Sequence, residues 1–178
     1  MKRAPWQDDH VESRREATHL LEQQRLEVMS LLDRLPPRAR TAKGLGGGEW
    51  SPKDLLGHLE SWEEHALDAI DAWSRGARAP IDAELHASGV NGVNARTFEE
   101  KAGRTYARQL TSAERTRQRL IEAIGAISDE RWSAPATSRA KRPLGYRVGG
   151  ILGGPAGRFR HDDAHLPSVR AFVEAQGR

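Results

Sequence analysis

The sequence predicts an all-α protein, an antiparallel four-helix bundle with a long crossover connection. Four segments carry apolar residues at helical spacing, and no segment shows the sustained alternation that is typical of a half-buried strand. The connections between these segments are unequal, so at least one of them must be a long crossover. The length of 178 residues predicts one domain over residues 1–178, in which residues 1–10 form a disordered extension.

The first helix is predicted from Val11 to Leu35. Pro36 and Pro37 lack the backbone N–H that a continuing helix would use, so the helix ends before them. Apolar side chains repeat along one side of this segment: Ala17, Leu20, Leu21, Val28, Leu31, Leu32 and Leu35.

The second helix has the clearest predicted start. Ser51 is a favourable N-cap and Pro52 fits the first helical position. Asp54 completes a capping box with Ser51. A continuous apolar stripe follows: Leu55, Leu59, Trp62, Ala66, Ile70 and Trp73.

The rest of the chain predicts a crossover and two further helices. Residues 75–92 are interpreted as the long crossover with a single turn of helix, and a short helical piece is expected at 94–102. The third long helix is predicted over 104–127, where the stripe consists of Tyr106, Leu110, Ala113, Leu120, Ile124 and Ile127. Residues 133–157 lose this periodicity because Pro, Gly and Ser are frequent. The final helix is expected over 156–175.

Charge and composition exclude several classes of function. The 28 basic and 25 acidic residues are interleaved, and the densest basic stretches, 34–43 and 138–147, are loop-like. Scattered charge of this kind is typical of a solvated surface, so no nucleic-acid binding is expected. The chain has no Cys, so any metal must be held by His and carboxylate side chains.

The sequence also predicts a cytoplasmic protein that does not associate with membranes. The basic N-terminus is not followed by an apolar segment, and no run approaches the length of a membrane span. Two glycine-rich stretches, 43–50 and 149–157, lack the spacing and context of phosphate or dinucleotide loops. Both are interpreted as flexible approaches to the helices that follow.

The histidines carry the main functional signal. His161 and His165 are four residues apart, which places them on one helix face, where imidazole nitrogens can converge on an ion at about 2 Å. Val169 and Phe172 continue this stripe, which indicates that it faces the interior. Pro167 predicts a bend just past the second histidine.

A third ligand must come from another helix. His58 lies at the edge of the apolar stripe of the second helix and is favoured, whereas His65 lies farther toward the flank and remains the alternative. Asp162 or Asp163 could orient a ligand histidine, although aspartates beside histidines more often face solvent.

Two segments together resemble the DinB-like (DinB/YfiT) metalloenzyme superfamily. GEWSPKDLLGHLESWEEHAL is similar to the signature second helix of that family, and RHDDAHLPSVRAF is similar to its last helix. The resemblance implies a four-helix bundle with a long crossover, often dimeric, so a homodimer is expected. The ligands that it implies are His58, His161 and His165, while His65 and His86 match no ligand position. Trp50, Trp62 and Glu63 match the signature; the tryptophans are interpreted as packing residues, and the role of Glu63 stays open.

The resemblance also implies a small-molecule substrate and a divalent metal ion, with zinc or nickel favoured. Three neutral histidines leave an open position on such an ion, where a bound water acquires a pKa near 7. The expected function is hydrolysis or ring opening of a reactive electrophile, in detoxification or self-resistance. One alternative is a low-molecular-weight thiol S-transferase, in which Arg142, Arg147 or Arg158 would help to bind the thiol. Another is a non-enzymatic ligand-binding or sequestration protein. The sequence assigns no catalytic role to Asp162, Asp163 or Glu63.

Overall fold

The computed structural model describes residues 11–176, and this part of the chain contains helices and no strand. The all-α prediction is therefore confirmed. The expected disorder of residues 1–10 lies outside the described residues. The helices are α1 (Arg14–Leu32), a 3₁₀ helix (Pro37–Thr41), α2 (Pro52–Ser74), α3 (Pro80–Lys101), α4 (Tyr106–Ala126), α5 (Asp129–Ser133), α6 (Leu144–Ile151) and α7 (His161–Gln176).

Four long helices, α1, α2, α4 and α7, pack around one another as a bundle. Arg25 pairs with Asp162, and farther along both helices Glu27 pairs with Arg170, so α1 and α7 run in the same direction. By the same reasoning α2 and α4 run together, because Glu60 contacts Gln109 and Glu63 contacts Arg117. The two pairs of helices are antiparallel to each other, as the apolar clusters at their ends show.

The parallel arrangement of α2 and α4 requires the predicted long crossover, because the chain must return along the bundle between them. The expectation of a largely irregular crossover with one helical turn is wrong: α3 occupies most of it and packs along α2. Gly89 interrupts α3 with φ 63° and ψ 179°, a conformation that is open almost only to glycine. Leu85 and Val90, on the two sides of this interruption, line a cavity that α2 and α7 also border.

Capping interactions determine where α1 and α2 begin. In α2 the Ser51 hydroxyl accepts from the Asp54 backbone N–H at 3.3 Å, and Asp54 accepts in return from the Ser51 backbone N–H at 2.9 Å. This confirms the predicted start. In α1 the same capping box forms between Ser13 and Glu16, so the helix begins after Ser13 and not at residue 11.

Residues 133–160 are more ordered than the sequence predicts. They contain α6, which packs on α2. A Cβ atom at Gly145 would lie 2.4 Å from the ring of Trp132, and one at Gly149 would lie 2.5 Å from the ring of Phe159. These glycines permit close packing. Residues 149–151 belong to α6, so the interpretation of 149–157 as a flexible approach is wrong for this first part of the stretch. The last helix begins at residue 161, five residues later than predicted, because Phe159 has a φ of 56°, which an α-helix cannot accommodate.

The apolar core forms two clusters along the bundle axis. One contains Leu21, Ala66, Leu120 and Phe159, and the other contains Val28, Leu59, Ala113 and Leu166. Along each of the four bundle helices, a buried charged residue lies between these two clusters. The described residues include no helix that is long and apolar enough to cross a membrane.

Candidate metal centre

Three histidines from two helices meet at one point of the bundle. His58 comes from α2, and His161 and His165 come from the first two turns of α7. The Nε2 atom of His161 lies 2.9 Å from Nε2 of His58 and 3.4 Å from Nε2 of His165. One ligand nitrogen from each of the three lies within 4.8 Å of the others. The fold thus brings together the three residues that the sequence and the family resemblance single out.

Burial keeps these imidazoles neutral. Burial, together with the nearby His161 and His165, lowers the pKa of His58 to about 2. Burial likewise lowers the pKa of His161 to about 3, with a contribution from His165. The pKa of His165 is also lowered by burial. Near pH 7 all three therefore offer nitrogen lone pairs, which is the protonation state that binds a metal.

The spacing of the nitrogens is suited to a divalent ion. Two imidazole nitrogens bound to one tetrahedral ion at about 2.0–2.1 Å are separated by about 3.3 Å, and the two closest separations here are 2.9 and 3.4 Å. A neutral imidazole carries a single N–H, so three facing nitrogens cannot all be satisfied by one another. Imidazole ligands suit zinc and nickel among the divalent metals.

The other histidines that the structure describes are not part of this cluster. His65, the alternative third ligand, is buried on α2, where its ring contacts Trp62 at a centroid distance of 5.7 Å. Its Nε2 has no hydrogen-bond partner among the described residues. His19 and His86 are exposed, and His10 lies outside the described residues. The structure therefore distinguishes His58 from His65, which spacing alone left open.

Aromatic rings enclose the histidine cluster. Trp50 lies 4.8 Å from His58 and 6.5 Å from His165, measured between ring centroids, and Trp62 lies 6.1 Å from His161. The Trp62 indole N–H donates to Asn94 at 3.0 Å, which fixes its ring against α3. Both signature tryptophans thus pack around the histidines, as interpreted from the sequence.

A buried cluster of four charges lies directly beside the histidines. Arg25 donates to Asp162 at 2.7 Å and to Glu63 at 2.6 Å. Arg117 donates to Glu63 at 2.6 Å and to Asp162 at 2.8 Å. We call these residues, Arg25, Glu63, Arg117 and Asp162, the charge cluster. Each of the four bundle helices contributes one member, and each member lies in the buried layer between the two apolar clusters.

Opposite charge outweighs burial within the charge cluster. Burial alone would raise the pKa of Asp162, but Arg25 and Arg117 hold it well below its usual range. Burial alone would lower the pKa of Arg25, but Asp162 and Glu63 raise it above its usual value. Asp162 and Arg25 are therefore charged near neutral pH, and the charge cluster as a whole contains two acidic and two basic residues.

The contacts of Asp162 and Asp163 differ from those expected from the sequence. Asp162 is buried and bonds to arginines, and Asp163 bonds to Arg160 at 2.9 Å. Among the described residues neither aspartate bonds to a histidine, so the idea that one of them orients a ligand directly is wrong. Arg25 and Arg117 are not among the functional residues predicted from the sequence. The sequence signal for these two arginines is their position, because each lies at a point of the helical repeat where the other residues belong to the core.

The three histidines line a cavity of about 570 Å³. Most of its other walls are apolar, with contributions from Trp62, Leu85, Val90, Tyr146 and Ile151. Leu85 and Val90 come from the two sides of the break at Gly89, and Ile151 comes from α6. The crossover helix and the 133–160 segment therefore build the cavity in front of the histidines.

Of the three arginines proposed to bind a thiol, Arg147 lines this cavity, and Arg142 and Arg158 do not. Arg147 donates to both oxygens of Asp82, at 2.9 and 3.0 Å. The guanidinium carbons of Arg142 and Arg158 lie over the ring of Tyr146, at 4.8 and 4.5 Å from its centroid. Of these three arginines, Arg147 alone lines the cavity in front of the histidines, and its charge is balanced by Asp82.

The fold and the site define a helical-bundle protein with a three-histidine candidate metal centre. A sequence model of the DinB superfamily matches residues 5–153, which is most of the chain. The protein therefore belongs to the DinB superfamily, and the family resemblance is confirmed. The match includes His58 but ends before α7, so His161 and His165 rest on the structure and on the sequence signature. Comparison with curated proteins gave no match.

Solved structures of similar proteins share the fold. An uncharacterised protein from Escherichia coli UTI89 has a TM-score of 0.75 and 12% identity, with 93% of this chain and 95% of that chain covered. A Streptococcus pneumoniae protein has a TM-score of 0.67 and 13% identity, with 94% and 92% covered. The colibactin self-resistance protein ClbS has a TM-score of 0.63 and 14% identity, with 93% of each chain covered. At these identities the likeness establishes the fold alone.

The third of these structures corrects one expectation. ClbS was crystallised with double-stranded DNA, so the exclusion of nucleic acid as a partner is wrong. The exclusion relied on the spread of basic residues along the sequence, but folding determines where their charges lie. Arg78 lies far from Arg139 and Arg147 in the sequence, yet the three line one surface cavity.

Replacing Glu63 tests the energetic role of the charge cluster. The Glu63→Gln substitution leaves two buried arginines with one carboxylate, so we expect a loss of about 3 kcal/mol in unfolding free energy. Asp71→Asn removes the carboxylate of an exposed pair with Arg75, and its expected cost is below about 0.5 kcal/mol. Urea unfolding followed by circular dichroism gives both values. Equal costs for the two variants would contradict the role assigned to the charge cluster.

The low histidine pKa values predict a specific dependence of stability on pH. In the unfolded chain His58 and His161 take up protons below about pH 6.5, whereas in the metal-free folded protein they stay neutral until about pH 2 and 3. The unfolded state then binds more protons, so unfolding free energy falls as pH decreases, by about 2 kcal/mol per histidine between pH 7 and 5.

Urea unfolding of the metal-free protein at pH 7 and pH 5 measures this effect. His58→Asn removes one of the groups, so the decrease between the two pH values should be about 2 kcal/mol smaller than in the native protein. The same decrease in both proteins would mean that His58 is protonated normally in the folded state.

Proposed function

We propose that His58, His161 and His165 bind a divalent metal ion and that the protein is a metal-dependent enzyme. Its proposed reaction is hydrolysis or ring opening of a small reactive electrophile, in detoxification or self-resistance. The observation that carries this proposal is the convergence of three neutral imidazole nitrogens in the wall of a largely apolar cavity of about 570 Å³. The self-resistance role named for ClbS, which shares the fold, supports the biological context.

The chain supplies ligands and a binding cavity for this reaction. A divalent ion held by three neutral histidines keeps a position open and lowers the pKa of a water there toward 7. Trp62, Leu85 and Ile151 provide apolar surface that binds an apolar substrate and limits access of bulk water. The chain has no Cys, so a thiol nucleophile of its own is excluded.

The buried acids act as positioning residues in this proposal. Both oxygens of Asp162 accept from arginines, and Glu63 is paired with the same two arginines. Proton transfer through either carboxylate would break a buried ion pair, which is costly. Asp162 instead holds the first turn of α7, and so the adjacent His161, against α1 and α4.

The proposal keeps three further expectations from the sequence and the family: a single domain over residues 1–178, a cytoplasmic location and a homodimer. Light scattering coupled to size-exclusion chromatography measures the oligomeric state. Because ClbS was crystallised with double-stranded DNA, a duplex oligonucleotide belongs among the ligands to be tested with this protein.

Metal analysis tests the ligand set. Protein purified without a histidine tag is incubated with zinc or nickel, desalted and measured by inductively coupled plasma mass spectrometry. We expect about one ion per chain, lost in His58→Ala and His161→Ala, because two remaining imidazoles bind a divalent ion weakly. His86→Ala removes an exposed histidine and should retain the ion. A native protein that takes up no metal, or loss of metal in all three variants, would contradict the proposal.

A direct comparison of nucleophiles tests the reaction. The metal-loaded protein is given a strained-ring electrophile in water alone, and then with bacillithiol, mycothiol or glutathione. Turnover in water that disappears in His161→Ala supports hydrolysis or ring opening. Turnover that requires a thiol would replace this proposal with a thiol S-transferase. Stoichiometric binding of the electrophile without turnover would replace it with a sequestration protein.

A further inference from the structure

A second cavity lies beside the histidine cavity, and the two share part of their walls. It has a volume of about 530 Å³, and Asp82 and Arg147 line both cavities. The turn that follows α2 contributes Arg78 to the second cavity, and the segment that precedes α6 contributes Thr137 and Arg139. The ion pair between Asp82 and Arg147 thus lies between the space in front of the histidines and this second space.

The second cavity carries an excess of positive charge. Arg147 is balanced by Asp82 and is held in place, because its guanidinium carbon also lies 5.0 Å from the ring centroid of Trp73. Arg78 and Arg139 are exposed and make no ion pair with any described residue. Three guanidinium groups and a single carboxylate therefore line this space, which leaves two positive charges uncompensated.

This arrangement has the chemistry of an oxyanion site. Guanidinium groups bind carboxylate and phosphate through paired, charge-assisted hydrogen bonds. Arg147 donates to Asp82 through its Nη2 atom. The hydroxyls of Thr137 and Ser138 are further hydrogen-bond donors that line the second cavity. A bound anion would also supply a counter-charge to Arg78 and Arg139, which make no ion pair with any described residue.

We propose that this second cavity is an oxyanion subsite that binds a carboxylate or phosphate group at one end of the substrate. The histidine cavity is largely apolar, so the matching substrate has an apolar body with its reactive group at the histidines and an anionic end beyond Arg147. The link between the subsite and a reaction rests on the proposed function. The anion site itself rests on the arginines alone.

Calorimetric titration of the metal-loaded protein with phenyl phosphate tests the subsite, with benzyl alcohol as an uncharged comparison. The double substitution Arg78→Gln and Arg139→Gln should weaken phenyl phosphate binding at least about tenfold, because it removes charge-assisted hydrogen bonds. Arg75→Gln is the matched control. Arg75 is also exposed and lies on the same turn, but it pairs with Asp71 and does not line the cavity, so binding should stay within about twofold.

The titration is repeated on the metal-free protein to separate the subsite from the metal centre. Binding that persists without metal, while the double variant still takes up its ion, supports the subsite even if the proposed reaction fails. Binding that requires the metal would mean that the phosphate binds the ion, and it would overturn the proposal. An equal loss in Arg75→Gln, or no binding by the native protein, would also overturn it. If a DNA duplex displaces phenyl phosphate at concentrations below that of phenyl phosphate itself, the result would indicate that these arginines bind nucleic acid instead.

Discussion

Four charged side chains, one from each helix of the bundle, meet in the interior between two apolar clusters. Arg25, Glu63, Arg117 and Asp162 bury two positive and two negative charges, and any one of them without its partners would be strongly destabilising. Their contacts are satisfied only when α1, α2, α4 and α7 are in one register. Because Asp162 follows His161 directly, the same register places the α7 histidines against His58 on α2. The register that brings the histidines together therefore depends on this electrostatic constraint as well as on the apolar core.

The bundle and its connections have different roles. The bundle helices supply the histidines and the charges that position them. The crossover helix α3 and the short helix α6 supply most of the cavity in front of the histidines. Substitutions in these connections would change the shape of the cavity without disturbing the histidines, since binding surfaces often reside in segments placed on a rigid scaffold. This division is consistent with solved structures that share the fold with this chain at 12–14% identity.

The parts of the structure that depend on local chemistry could be predicted from the sequence. Ser51, Pro52 and Asp54 fix the start of α2, and helical register brings His161 and His165 to one face. The parts that depend on distant contacts could not be predicted. Gly145 and Gly149 suggest flexibility in the sequence, but the rings of Trp132 and Phe159, brought close by folding, require them. Arg25 and Arg117 occupy positions of the helical repeat that otherwise carry core residues, but their burial depends on Glu63 and Asp162, which come from other helices.

The most direct test of this account is a crystal structure of the zinc-loaded protein with diffraction data collected at the zinc absorption edge. We expect one strong anomalous peak within bonding distance, about 2.0–2.1 Å, of the Nε2 atoms of His58, His161 and His165, with the contacts of the charge cluster unchanged. A peak at other residues would contradict the account. So would the absence of a peak while the three imidazoles remain in mutual contact.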